Sequence, residues 1–474
     1  MLYVNTGVMM KARELRNLGF PRGEVTKLAL KTAGVARRSG LYASQIREEY
    51  VKLIEYPIAY ECHEIFGDLA KAFKANTTRP FIEREEPAPW SIYASDIDPG
   101  AIKQMENACR LPIAVAGALM PDAHRGYGLP IGGVLATENA IIPYAVGVDI
   151  ACRMKLSVFD LPVSALKGEK QRLINAIKHE TRFGIGAGFQ KKYRREHAVL
   201  DEDWDATEIT KSVKDKAWKQ LGSSGSGNHF VEFGTLTLSE DELGLKAGQY
   251  LAFLSHSGSR GPGAMTAGYY SKLARSLHPE LPKELAHLSW LDMDSEAGQE
   301  YWYAMNLMGQ FAAANHECIH DTMRRRLGVK ILAGVENHHN FAWKEHHNGK
   351  DVYVHRKGAT PAGKGVLGII PGSMADPGFV VRGKGNALSL ESAAHGAGRV
   401  MSRTAAKKSI TWSSVKKTLN DRGVTLISAG IDEAPDVYKD IEKVMAQQSD
   451  LVETIARFDP KIVKMAQAGE PPED

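Results

Sequence analysis

The chain has 474 residues, 43% of them hydrophobic, and its 60 basic and 56 acidic side chains leave a formal charge of +4. A chain of this size can bury one large core or two medium ones, and its composition excludes long disorder. Near-cancelling charge identifies no nucleic-acid partner by itself, so local distribution has to decide. Four widely spaced cysteines, Cys62, Cys109, Cys152 and Cys318, contain no CxxC pair and exclude a disulfide scaffold. With no signal segment and no apolar run near the roughly 18 residues that span a bilayer, the expectation is a soluble cytoplasmic protein with no membrane partner.

Residues 1–40 carry eight basic side chains against Glu14 and Glu24, a basic stretch that is either a solvated helical face or a polyanion-binding surface. From Ser44 to Asn76 apolar residues recur at helical spacing with a break at Pro57, so residues 1–80 are read as a basic helical N-terminal extension. Residues 81–110 open on a segment rich in Pro and Glu and are read as a connector. Beyond it, short apolar runs separated by Gly, Pro and Asn predict strands joined by tight loops, with helical stretches at 162–179 and 201–221. Residues 297–326 form the clearest long helix, 352–356 and 366–383 return to strand character, and the end reads as helical before a polar tail at 467–474. The fold class expected is mixed α/β (α+β), a single large domain over 111–466 behind the helical prefix.

Glycine- and asparagine-rich motifs carry the chemistry. GVDIAC holds Asp149 and Cys152 three residues apart, which lets both meet one ion on a turn but not along a straight strand. A thiolate can bridge two ions. GSGNHF opens a strand in which alternation would pair His229 with Val231 on one face and Phe230 with Glu232 on the other, so that a carboxylate beside a ring could read guanine. SHSGSRG surrounds His256 with small donors and Arg260, and NHHN offers His338 and His339, of which one can face a metal. HGAGRVMSRTAAKK reads as a helix starting near His395, with Arg399 and Arg403 on one face and phosphate held at its N-terminus. HRKGAT adds Arg356 and Lys357, and IIPGSM adds Ser373, as phosphate or nucleotide contacts.

The ordered series PDAHRGYGLPIGG, GVDIAC, GSGNHFVE, SHSGSRG, HHN, HRKGA, IIPGSM, HGAGRVMSR and YKDI, spanning about Leu111 to Lys464, resembles the RtcB family of RNA-splicing ligases. The resemblance implies an α/β catalytic domain with two manganese ions, GTP as cofactor, and RNA as partner, in the form of tRNA halves or broken RNA ends. A histidine would take GMP from GTP and pass it to an RNA 3′-phosphate, and a 5′-hydroxyl would displace it. Ends bearing a 2′,3′-cyclic phosphate would first be opened. Position by position it implies metal ligands at Asp149, Cys152, His229, His256 and His339 and the guanylylated histidine at His395. It also implies guanosine contacts at Asn228, Phe230, Glu232, Ser373, Ala397, Tyr438 and Lys464, while the motifs themselves offer Arg260, Arg356, Lys357 and Arg399 as phosphate or RNA contacts. Zinc or cobalt would suit the same ligands, and an activating protein partner is allowed for. The chain departs from the family in placing Arg153 after the metal cysteine. Two other readings of the residues stay open, a metal-dependent phosphoesterase and an RNA-binding paralogue that has lost joining.

Overall fold

A computed structural model describes residues 10–21, 23–77 and 81–470. The chain divides into two compact units, one of residues 1–83 with 272–289 and one of residues 84–271 with 290–474. The first contains helices Ala12–Leu18, Glu24–Arg38, Ala43–Glu55, Pro57–Tyr60 and Gly67–Thr77. Val25, Ala29, Ala33 and Ala36 recur at helical spacing and meet Ile46, Tyr50 and Leu53 in one core. Phe20 lies edge-on to Tyr50 at 5.0 Å and to Phe73 at 5.5 Å. Pro57 has no amide hydrogen to continue the helix before it and sits instead at the first turn of the next. The segment 272–289, far away in sequence, completes this unit.

Among the described residues of the second unit the main sheets have five and eight strands. The five-stranded sheet runs Trp90–Ile92, Ala114–His124, Ile131–Thr137, Lys350–Lys357, Asn340–His347, antiparallel except for its first pair. In the eight-stranded sheet the neighbours Val452–Met465, Phe230–Leu238, Gly248–Ser257, Arg153–Phe159 and Ile331–His338 are all antiparallel. Its back face packs Phe159, Phe233 and Phe253 against Ile319, Met323 and Leu327 of helix Glu296–Leu327. That helix is capped by the Ser295 hydroxyl, which accepts from Gly298 N, and stops at Gly328, whose φ of +63° only glycine adopts readily.

Three local expectations are corrected. Residues 81–110 are not a plain connector, since they hold strand Trp90–Ile92 and helix Pro99–Cys109, started by Asp98 accepting from Gly100 N. The C-terminal end is strand Val452–Met465 after a short helix, Ile441–Ala446. Two register shifts break its alternation and leave Ile455 beside Ala456, and Ile462 beside Val463, all buried, which mimics helical spacing in the sequence. His395 does not open a helix. It lies in a loop after Ser392–Ala394, and the helix begins at Arg403. Gly398, at φ +72°, packs so closely on the Asp122 backbone that a Cβ would overlap it, which holds the loop flat against that strand.

Candidate metal and nucleotide site

Alternating strand direction assembles the ligands. Cys152 immediately precedes Arg153–Phe159, His229 precedes Phe230–Leu238, His256 is the penultimate residue of Gly248–Ser257, and His339 follows Ile331–His338. Because these strands are antiparallel neighbours, the start of one lies beside the end of the next, and all four side chains emerge at one edge of the sheet. The Cys152 Sγ is 3.3 Å from His229 Nε2 and 3.1 Å from His256 Nε2, which is 3.3 Å from His339 Nε2. Asp149 Oδ2 lies 3.1 Å from His229 Nε2. Two triads result, Asp149–Cys152–His229 and Cys152–His256–His339, sharing the sulfur, with every member buried.

The backbone fixes this geometry. Ala151 at φ +55° forms the turn that lets Asp149 and Cys152 converge, and Ala151 N donates to Asn340 O at 2.6 Å while His339 N donates to Cys152 O at 3.0 Å. Gly258 allows the Asp149 carboxylate to lie against its backbone, where a Cβ would collide with it, and Ser259 N donates to Asp149 Oδ1 at 3.0 Å. Burial holds His256 down to about 3 and His339 well below the ordinary imidazole value, so both present neutral nitrogen, the form that binds a cation. His229 lines the same cavity as Phe230 and Glu232, whereas Val231 points into the opposite core. The expected pairing of His229 with Val231 fails because His229 stands before the first strand residue, where alternation does not yet apply.

His339, not His338, enters the cluster; His338 packs 5.0 Å from both Phe341 and Trp343. Arg153 does not face the donor cluster, because its guanidinium pairs with Glu336 at 3.1 Å. His395 stands beside the cluster, its ring 4.9 Å from that of His339. Asp122, wholly buried, accepts from His395 N at 3.1 Å, from Gly396 N at 3.3 Å and from His395 Nδ1 at 2.6 Å. A carboxylate only accepts, so Nδ1 carries the hydrogen, and in the neutral ring the lone pair lies on Nε2. Asp122 lies in the PDAHRG motif, yet nothing in the sequence marks it as the partner of His395.

The cavity extending from the ligands is lined by Asn228, Phe230, Glu232, Ser373, Ala397 and Tyr438. Glu232 is 5% exposed, and burial pushes its carboxyl well above the usual value. Glu433 is a second residue the sequence reading missed; it is 2% exposed, accepts from the Tyr438 hydroxyl and from Arg403, and pairs with Arg399 at 3.2 Å. Only its presence in a short acidic turn could have drawn notice. A second cavity, sharing His124, Asp149, Asn340 and Arg399 with the first, is lined also by Lys357 and Arg403. Burial brings Lys357 down to about 7, and its ammonium donates to Tyr127 O at 2.6 Å.

Three expected contacts lie elsewhere. Arg260 is 1% exposed and donates to Ser223 Oγ at 3.2 Å and Gly184 O at 2.7 Å. Arg356, equally sealed, is paired with Glu345 at 2.6 Å and lies over the Trp343 ring. Both guanidinium groups are consumed by the fold, because a buried cation must be paired internally. Lys464 turns to Thr181 at 3.0 Å, while the adjacent Val463 and Met465 line the cavity, since neighbouring strand residues face opposite sides.

The pattern of the family described as tRNA-splicing ligase RtcB matches residues 104–465. The chain belongs to the RtcB family. It is 34% identical over 400 residues to the RNA-splicing ligase RtcB of Escherichia coli K12, an alignment covering 78% of this chain and 95% of that one. It is 31% identical to the tRNA-splicing ligase RtcB of Nanoarchaeum equitans, covering 79% and 94%. An RtcB homologue of Entamoeba dispar is 30% identical, covering 77% and 82%. RtcB membership accounts for the mixed α/β unit and its order of motifs, and among the described residues no helix is long and apolar enough to cross a membrane.

Proposed function

We propose that this chain, an RNA ligase by family, joins an RNA 3′-phosphate, or a 2′,3′-cyclic phosphate opened to it, to a 5′-hydroxyl through a guanylylated His395, using GTP and two manganese ions. One observation carries the reading: the Asp122-held imidazole of His395 lines the same cavity as the sulfur-centred ligand cluster and as Phe230 and Glu232. A guanine held against Phe230 would turn its N–H edge toward Glu232 and its α-phosphorus toward His395. Nε2 then forms a bond to that phosphorus as the bond to pyrophosphate breaks, giving a phosphoramidate while the Asp122 carboxylate offsets the positive charge on the ring. An oxygen of the RNA 3′-phosphate next displaces the imidazole and takes the GMP. The 5′-hydroxyl finally attacks the 3′-phosphorus, loses its proton, and GMP leaves. That Arg399 and Lys357 line the adjoining cavity supports a role for them in meeting phosphate oxygens.

The donor set fits a pair of divalent cations. Two imidazoles that burial keeps neutral face a buried thiol with Nε2 and Sγ atoms about as close as ligands of one ion, and a buried carboxylate offsets the positive charge. Bound there, the ions would neutralise phosphate charge and activate phosphorus toward attack. Manganese suits the mixed O, N and S donors, as do zinc and cobalt. The substrates are broken strands or tRNA halves, the free cysteines fit a reducing cytoplasm, and an activating protein is compatible with the reading.

GTP labelled at its α-phosphate, incubated with manganese and the protein, should leave an acid-labile, hydroxide-stable adduct, absent from His395→Ala. An adduct on the variant would overturn the assignment, and no adduct on the parent would favour a phosphoesterase.

A further inference from the structure

Within the helical unit a groove is lined by Arg13, Arg16 and Asn17 on one side and by Lys272, Arg275 and Ser276 on the other. Its lining contains four cations and no carboxylate. Arg13 and Arg16 are both exposed and lie on one face of helix Ala12–Leu18, and Lys272 and Arg275 share a face at the end of helix Arg260–Leu277. Among the described residues Arg13, Arg16 and Lys272 enter no ion pair. The acids nearest in sequence are engaged elsewhere: Glu14 accepts from Lys11 N at 3.2 Å, Glu24 pairs with Lys27 at 2.6 Å, and Glu280 meets His278 at 3.0 Å. Arg275 is held in place by donating to Ala286 O at 3.2 Å.

A helix C-terminus favours cations and explains Arg275 by itself. It does not explain two further arginines brought to the same groove from another helix, since like charges at close range repel by about 1 kcal/mol per pair even in water. An anion with several charges reverses that sign. Guanidinium, ammonium, amide and hydroxyl groups are all donors to phosphate oxygen. Lipid is disfavoured, because a membrane-binding face exposes large apolar anchors, whereas the Phe20 at this groove is 3% exposed.

We propose that this groove grips the phosphodiester backbone of the RNA substrate, making the helical unit an RNA-docking module. The inference rests on the ligase reading for the identity of its ligand. Arg13, Arg16 and Asn17 precede the family-matched residues 104–465, whereas Lys272, Arg275 and Ser276 fall within them, so the groove joins residues outside the family pattern to a segment inside it.

The test uses the full chain, a fluorescent RNA hairpin bearing a 3′-phosphate, EDTA and no GTP, with anisotropy read over a range of KCl concentrations. The variant R13A/R16A/K272A should bind about ten-fold more weakly at low salt, and the slope of log affinity against log salt should shrink by about 2 to 3, one counterion per lost phosphate contact. R13K/R16K/K272R, which keeps the charges, should retain most of the affinity, and formation of the His395 adduct should match the parent in both variants. Parent-like affinity and slope in the alanine variant would overturn the proposal. So would displacement of the hairpin by inorganic phosphate at an equal concentration of phosphate groups. Loss of binding to phosphatidylglycerol vesicles with RNA binding unchanged would also overturn it. If the parent forms no adduct yet the alanine variant loses RNA, the groove stands and the ligation reading falls; an adduct with undiminished RNA binding in the variant has the reverse meaning.

Discussion

The two ends of the cavity beside His395 are built by opposite means. At the sulfur end the donors of neighbouring strands meet each other within 3.3 Å, and backbone hydrogen bonds between the Cys152 and His339 loops hold them there. At the other end Phe230, Ser373, Ala397 and Tyr438 come from separate segments around Glu232, whose side chain is buried and raised in pKa by desolvation alone. One end gathers sulfur, nitrogen and carboxylate donors close to one another. The other surrounds a single buried carboxyl. The first arrangement suits a cation and the second a hydrogen-bond donor, in line with the roles proposed above.

That contrast can be broken most severely at the sulfur. Cys152→Ala removes the atom common to both triads and should lower bound manganese from two ions and abolish the adduct, with elemental analysis as the readout; unchanged stoichiometry would remove the thiolate from the ligand set. Asp122→Asn comes next. It keeps the shape but loses the acceptor that holds the His395 tautomer, and adduct formation should slow by about 10³-fold with GTP affinity little changed. A parallel loss of GTP affinity would mean that Asp122 supports the cavity rather than the imidazole.

Glu232→Gln should have the smallest effect, costing about 1–3 kcal/mol of the preference for GTP over ATP in competition, because one acceptor facing the guanine edge is replaced. Equal discrimination in parent and variant would exclude Glu232 as the reader. The same residue sets a pH dependence. With its pKa raised in the folded state, the folded protein holds a proton that the unfolded chain has released, so folding stability contributed by Glu232 falls as pH rises from the ordinary carboxyl range through the raised value. On the proposed reading guanine is met by the carboxylate form, so GTP affinity should rise over that same window and weaken toward acid. Calorimetric affinities that stay flat with pH in the parent, as expected for Glu232→Gln, would contradict this.

Much of the site was legible because its chemistry is local. A carboxylate and a thiol three residues apart imply a turn, and a histidine among small residues implies a loop that can approach a ligand. Helix Glu296–Leu327 was visible to within a residue at each end because its apolar spacing is long and uninterrupted. Asp122 was not, since nothing in its own strand signals a partner 273 residues away. Arg260 and Arg356 were misplaced because a guanidinium in a glycine-rich motif looks the same whether it meets phosphate or is paired inside the fold. The loop at His395 was mistaken for a helix because Arg399 and Arg403 keep helical spacing, yet both are drawn to Glu433 across a turn.

By itself the amino-acid order determined which donor types exist, the loops that carry them and the lineage they belong to, since those follow from residue identity and short spacing. Only the tertiary structure decided which of them share a space, because antiparallel pairing juxtaposes the ends of strands distant in the chain. It also decided which cations remain available to a ligand, because burial obliges a charge to find its partner within the fold.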